Sequence, residues 1–233
     1  MLHTLAATTM AYGWNNLENL VQDTWIREQK GGHMQFLTIQ GLVVAWLTMV
    51  FSLAADLFPH IRAARIIKRA LFMIAMPLSV VVTSIYWSLL FFAPHLLLQG
   101  EPGEPSSSSK VPEVIRLPLQ MDLALHAVPA VSLLVDFFLF EHRYARTEAQ
   151  YGASLVAAIS GLWYAAWVEY CAAHNGSFPY PFLTDNPFPI RVAIYVGATF
   201  LALVSFWVIN AIRPAQPLVG TATAERTKKN RVE

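Results

Sequence analysis

Charge is what this sequence has least of. Asp, Glu, Lys and Arg make up 13% of its 233 residues, against about 25% in an average soluble domain. A soluble chain of this size has too much surface for so few charges. A chain whose flanks are covered by lipid does not. The formal net charge of +1 supplies no global field to attract nucleic acid or a strongly acidic partner. Cysteine is nearly absent, and Cys171 alone excludes an intrachain disulfide and leaves the redox compartment unread. No GxSxG elbow, phosphate-binding P-loop or HExxH helix occurs, which removes the common motif-bearing soluble hydrolases and nucleotide enzymes. The N-terminus lacks a basic start, and Trp14, Asn15, Asn16 and Glu18 interrupt its apolar run, so it does not read as a secretory signal.

What the sequence has in quantity is long apolar runs, within 55% hydrophobic residues. A membrane span needs about 20 mostly apolar residues. Five segments qualify: Met34 to Phe58, Leu71 to Ala93, Leu119 to Phe140, Gly152 to Ala173 and Pro189 to Ile212. Aromatic residues near their ends (Tyr86, Trp87, Tyr144, Trp163, Trp167 and Trp207) read as interfacial belts. The expected fold is therefore all-α, an integral membrane bundle of five helices, or six if residues near 2–22 form another. Residues 1–33 read as an N-terminal segment, 34–212 as the transmembrane bundle and 213–233 as a disordered cytosolic tail. Gly100 to Lys110, GEPGEPSSSSK, reads as a flexible insertion rather than a domain linker.

Lys and Arg orient the bundle. Eleven fall in the loop between the first and second spans, the loop between the third and fourth, and the tail. Five fall on the other side. The positive-inside rule places the first set, and the C-terminus, in the cytosol.

Ionisable residues inside a span are costly and mark function or pairing. Asp56, Asp122, His126, Asp136 and Glu169 stand out. Asp122 and His126 are one helical turn apart, so their side chains can meet. Spacing alone leaves two readings open: a carboxylate that sets the imidazole, or a helix-capping Asp beside a packing histidine. Thr38, Gly41, Ala45, Thr48 and Ser52 form a small-residue stripe on the first span, with Asp56 further down. Ser154, Ala158, Gly161, Ala165 and Glu169 repeat it on the fourth, and such stripes face other helices. Thr38 lies about 6 Å in from its end and His126 about 10 Å in from the same side, by the helical rise. Glu169 reaches the same level, whereas Asp56 and Asp136 lie towards the other side and are expected at helix ends or the interface. A membrane threonine ordinarily bonds the carbonyl one turn back. His142 and His174 have no metal-ligand spacing, so no metal and no cofactor are expected. The sequon Asn175-Gly176-Ser177 abuts a helix end and is expected to be bare.

Three stretches carry a resemblance. Gly31 to Asp56, centred on Phe36-Leu37-Thr38, forms the first. His126 with the following Val-Pro and Asp136 ten residues later forms the second. Trp167, Gly176 and Tyr180-Pro181-Phe182-Leu183 form the third. In order and spacing they resemble the family of androgen-induced proteins and androgen-dependent regulators of tissue factor pathway inhibitor, over about residues 31–210. The resemblance implies a multipass hydrolase of fatty acid esters of hydroxy fatty acids, with Thr38 as nucleophile and His126 as base. Asp122, which stands where animal members carry an amide, is expected to orient His126. Glu169 and Tyr180 are expected as polar support, with Tyr180 and the backbone near Asn186 as oxyanion donors. The first family helix reads as shortened or absent, and the Ser-rich loop as an insertion. The expected partners are the bilayer and a lipid ester, with no nucleic acid. A membrane enzyme of lipid metabolism belongs in the endoplasmic reticulum or the plasma membrane. The rival class is a non-catalytic lipid-binding or regulatory protein, in which Thr38 is a packing hydroxyl. A small transporter lacks the paired inverted halves it would need.

Overall fold

A computed structural model describes residues 1–97 and 117–214. The expected Ser-rich insertion and nearly all of the expected tail lie outside the described residues. The described chain is helical throughout: α1 (Leu2–Asn15), α2 (Asp23–Glu28), α3 (Leu37–Leu57), α4 (Arg62–Phe92), α5 (Leu119–His126), α6 (Val128–Leu139), α7 (Ala153–Asn175), α8 (Pro181–Thr184) and α9 (Phe188–Ile212). Four helices are long and apolar enough to cross a membrane. The bent pair α5–α6 makes a fifth span if counted as one.

The middle span is broken rather than continuous. α5 ends at His126 and α6 starts at Val128, with a 44° bend between them. Pro129 explains the break, because its ring cannot continue the preceding helix and it has no N–H to donate. The carbonyl of His126, at the break, accepts the hydroxyl of Thr83 on α4 at 2.6 Å.

α4 is the central element. It packs against α3, α5, α6, α7 and α9, and Phe72, Ala75 and Met76 on it are fully buried. Against them lie Ala45 and Met49 of α3, Leu133 and Phe137 of α6, and Phe206 of α9. α7 and α9 form the outer side. Leu155, Leu162, Val196 and Phe200 are exposed there, as lipid-facing positions are.

α1 is a full member of the bundle, packed on α3, α5 and α6. It is about 21 Å long, short of the bilayer's hydrocarbon core of about 30 Å. Its buried face is His3, Ala6, Met10 and Gly13, and its outer threonines are satisfied locally. Thr8 donates to the Thr4 carbonyl at 2.8 Å and Thr9 to that of Leu5 at 2.9 Å.

Several polar residues sit elsewhere than their sequence positions suggested. Asp136 is not at an interface but fully buried. It takes Lys68 at 3.1 Å, Ser52 at 3.2 Å and His3 at 3.3 Å. Lys68, counted above among the loop cations, is buried and bridges Asp136 to Glu141 at 2.8 Å. Asp56 does lie at the exposed end of α3, as expected, and binds His3 Nδ1 at 2.6 Å. Tyr144 and Tyr86 are core residues rather than belt residues, with 2% and 9% of their surface exposed. Ala158 of the second small-residue stripe is exposed, whereas Gly161 does face α9. A Cβ on Gly161 would collide with the Thr199 side chain, so the missing side chain lets the two backbones approach.

Candidate functional site

The approach to α3 is pinned before the helix begins. Gly31 and Gly32 adopt φ of 86° and 47°, the left-handed region that other residues enter at a cost. A Cβ on Gly31 would lie 2.7 Å from Cys171 Sγ, so this turn is pressed against α7. Four side chains then hold the chain. Asn175 accepts from the Lys30 amide at 2.7 Å and donates to its carbonyl at 3.2 Å. Trp167 donates to the Met34 carbonyl at 3.0 Å, and Tyr164 to that of Gln35 at 3.4 Å. The Tyr180 hydroxyl accepts the Leu37 amide at 3.1 Å. That amide is one of the donors a helix start leaves without an intrahelical partner. Thr38 thus emerges in the first turn of α3, inside a cluster of phenols.

Across from it, the α5 terminus presents His126. Its Nδ1 lies 2.7 Å from Asp122 Oδ1 and its ring stacks on Tyr86, 3.4 Å between centroids and 3° between planes. The ring is clamped in position. With Nδ1 engaged, Nε2 is the nitrogen left to move a proton. No described residue hydrogen-bonds it.

Thr38, His126, Tyr180, Tyr164, Tyr86 and Asn186 line one cavity of about 830 Å³, within the size range of small-molecule sites. Its remaining wall is mainly aliphatic, drawn from α3, α4, α7 and α9. The structure therefore brings Thr38 and His126 to the same chamber but forms no hydrogen bond between them. Burial holds the Tyr180 phenol above its ordinary pKa, against the lowering from Thr38 and its amide. It stays protonated, a donor facing the chamber.

The other expected residues fall as follows. Glu169 is not beside His126. It forms a paired contact with Arg191 at 2.7 and 2.9 Å and accepts from Tyr195 at 2.9 Å. Its support for the chamber is therefore indirect, through Tyr195 on the wall. The Asn186 carbonyl accepts Arg191 at 2.9 Å. The side-chain amide of Asn175 is engaged by Lys30.

Sequence reasoning missed His33. It also lines the chamber, five residues before Thr38, with Nε2 at 2.7 Å from Asp23 Oδ1. Asp23 binds Arg27 at 2.9 Å as well. Hydrogen bonding from His33, despite burial, holds the Asp23 carboxyl below the usual range. No spacing rule connects residues 23 and 33. Their meeting depends on the glycine turn between α2 and α3.

A bundle of apolar helices enclosing a largely apolar chamber with a few convergent polar groups defines a multipass membrane protein. The chain belongs to the FAR-17a/AIG1-like protein family, whose profile matches residues 1–213. It is 29% identical over 216 residues to a UPF0641 membrane protein of Schizosaccharomyces pombe, covering 92% of this chain and 89% of that one. A UPF0641 membrane protein of Saccharomyces cerevisiae is 23% identical over 206 residues, covering 84% and 82%. No solved structure matches the chain.

Proposed function

We propose that the protein is an intramembrane hydrolase of lipid esters, with fatty acid esters of hydroxy fatty acids as the substrate class. The observation that supports it most is the joint placement of Thr38 and an Asp122-bonded His126 on the wall of one largely apolar chamber. An alcohol is a weak nucleophile and needs a base to take its proton as it attacks. His126 Nε2 serves as that base while Asp122 holds the tautomer and stabilises the imidazolium. The Thr38 hydroxyl adds to the ester carbonyl, and the proton on His126 passes to the departing alcohol. Water then releases the acid from the threonine ester, with His126 again as base. The developing oxyanion is met by the Tyr180 phenol and by the positive end of α3. Unliganded sites often hold their catalytic bonds open, and substrate entry would bring Thr38 and His126 within reach.

The rival reading is a lipid-binding protein that does no chemistry. The observation in its favour is that Thr38 and His126 line the same chamber with no hydrogen bond between them. An acyl-modifying covalent probe with peptide mapping separates the two. The hydrolase reading expects the label on Thr38, lost in His126→Ala and kept in His33→Ala. A chain that binds the probe's acyl analogue but carries no label on Thr38 is a binder.

A further inference from the structure

On one side of the reactive level the chamber lining includes Leu17, Leu20, Leu96, Leu97 and Leu117. On the other it continues between α4, α7 and α9 to Met73, Ala153 and Phe206. From Tyr164 to Ala153 on α7, and from Tyr195 to Phe206 on α9, the depth is about 17 Å by the helical rise. From Tyr86, stacked on His126, to Met73 on α4 it is about 20 Å. The three helices agree to within about 3 Å. The walls between are Ile74, Leu78, Val156, Ala157, Ala198 and Leu203. The Thr199 hydroxyl there is turned back to the Tyr195 carbonyl at 2.8 Å.

The floor is closed for a physical reason. Phe206, 1% exposed, packs on Tyr144 at 5.2 Å between centroids, and Tyr144 stacks on Phe137 at 6.3 Å. Beneath Tyr144 lies the Arg69 guanidinium, 3.8 Å from its ring and paired with Glu148 at 3.1 Å. A hydrocarbon tail pushed past the aromatic plug would meet charged groups that it cannot solvate.

We propose that the deep arm is a ruler for one unbranched acyl chain, with Phe206 and Met73 as its stop. A staggered chain advances about 1.25 Å per methylene, so the arm holds about 14 to 16 carbons. This rests on the hydrolase reading for the position of the chain's carbonyl at Thr38. The length selection is a binding property and does not need turnover.

The test uses the full chain in nanodiscs, offered an equimolar series of saturated fatty acids from 10 to 20 carbons. Retained acids are read by mass spectrometry after washing. Wild type should peak near 14 to 16 carbons. Ala202→Phe fills the arm one turn above Phe206, about 6 Å, and should move the peak about five carbons shorter. Its preference for 16 over 10 carbons should fall more than about tenfold, since each methylene left outside forfeits about fourfold. Phe206→Ala should move the peak longer. Thermal unfolding confirms that both variants fold, and Ala202→Phe adds bulk facing a space rather than removing core. Identical profiles in all three folded proteins, or no acid retained by wild type, would overturn the ruler. Shifted profiles in a protein that hydrolyses nothing would keep the ruler and remove the hydrolase reading.

Discussion

Replacing Lys68 by Met tests the buried ionic network around Asp136. Asp136 is fully buried, and Lys68 lies 3.1 Å from it with only 6% of its own surface exposed. At an effective dielectric of about 20, a unit pair at that distance attracts by about 5 kcal/mol. Desolvation has already been met in the folded wild type, so removing the cation leaves the carboxylate with Ser52 and His3 alone. Breaking one side of a buried pair costs about 3–5 kcal/mol, and Lys68→Met should fall in that range. Asp136→Leu should cost a similar amount, because Lys68 then retains only Glu141. The double variant should be less damaged than the sum of the two by at least about 2 kcal/mol, since well-packed apolar replacements remove both uncompensated charges. Unfolding in mixed micelles by added SDS, followed by helical circular dichroism, gives the three free energies. A Lys68→Met variant within about 0.5 kcal/mol of wild type, or strict additivity in the double, would refute the reasoning.

Three further perturbations follow from the site. Gly31→Ala forces a side chain into a left-handed conformation and onto Cys171 Sγ; it should cost about 1–3 kcal/mol in the same unfolding assay, and a neutral result would mean that the turn is not pressed on α7. Tyr180→Phe removes the acceptor for the Leu37 amide and the proposed oxyanion donor. It should lower kcat by about a hundredfold or more while costing about 1 kcal/mol of stability, and an unchanged kcat would remove Tyr180 from the oxyanion role. Asp122→Leu removes the polar partner of His126 Nδ1; kcat should drop by about a hundredfold or more with KM little changed, and equal activity would make Asp122 a packing residue.

Where a span needs only length and hydropathy, the sequence showed it. α3, α4, α7 and α9 begin and end within a few residues of their expected limits, except that α4 starts at Arg62 rather than Leu71. Its first turns carry Lys68 and Arg69, whose charges argue for a loop until Asp136, Glu141 and Glu148 are seen to neutralise them. α1 was only weakly legible because a 14-residue helix with three threonines is too short and too polar for a span rule. Its stability comes from tertiary packing of His3, Met10 and Gly13. The bend after His126 was present in the sequence as Val128-Pro129, but hydropathy averages across it.

The site was legible in unequal parts. Asp122 and His126 meet because they are one turn apart on one helix, a contact that spacing alone allows. That Thr38 faces the same chamber rested on a family resemblance, with helical depth as weak support. Glu169 was expected at the right level but pairs with Arg191, a partner that lies on another helix and in no periodic relation to it. His33, Tyr86 and Tyr164 could not be selected, since each reaches the chamber through contacts between elements distant in sequence.

The central claim is that Thr38 is a nucleophile, and the most direct measurement is hydrolysis of a fatty acid ester of a hydroxy fatty acid by purified wild type and Thr38→Ala in nanodiscs. The account predicts turnover by wild type and a loss of at least about a thousandfold in the folded variant, in line with removal of a catalytic nucleophile. Equal rates in the two, or no hydrolysis by either, would contradict it.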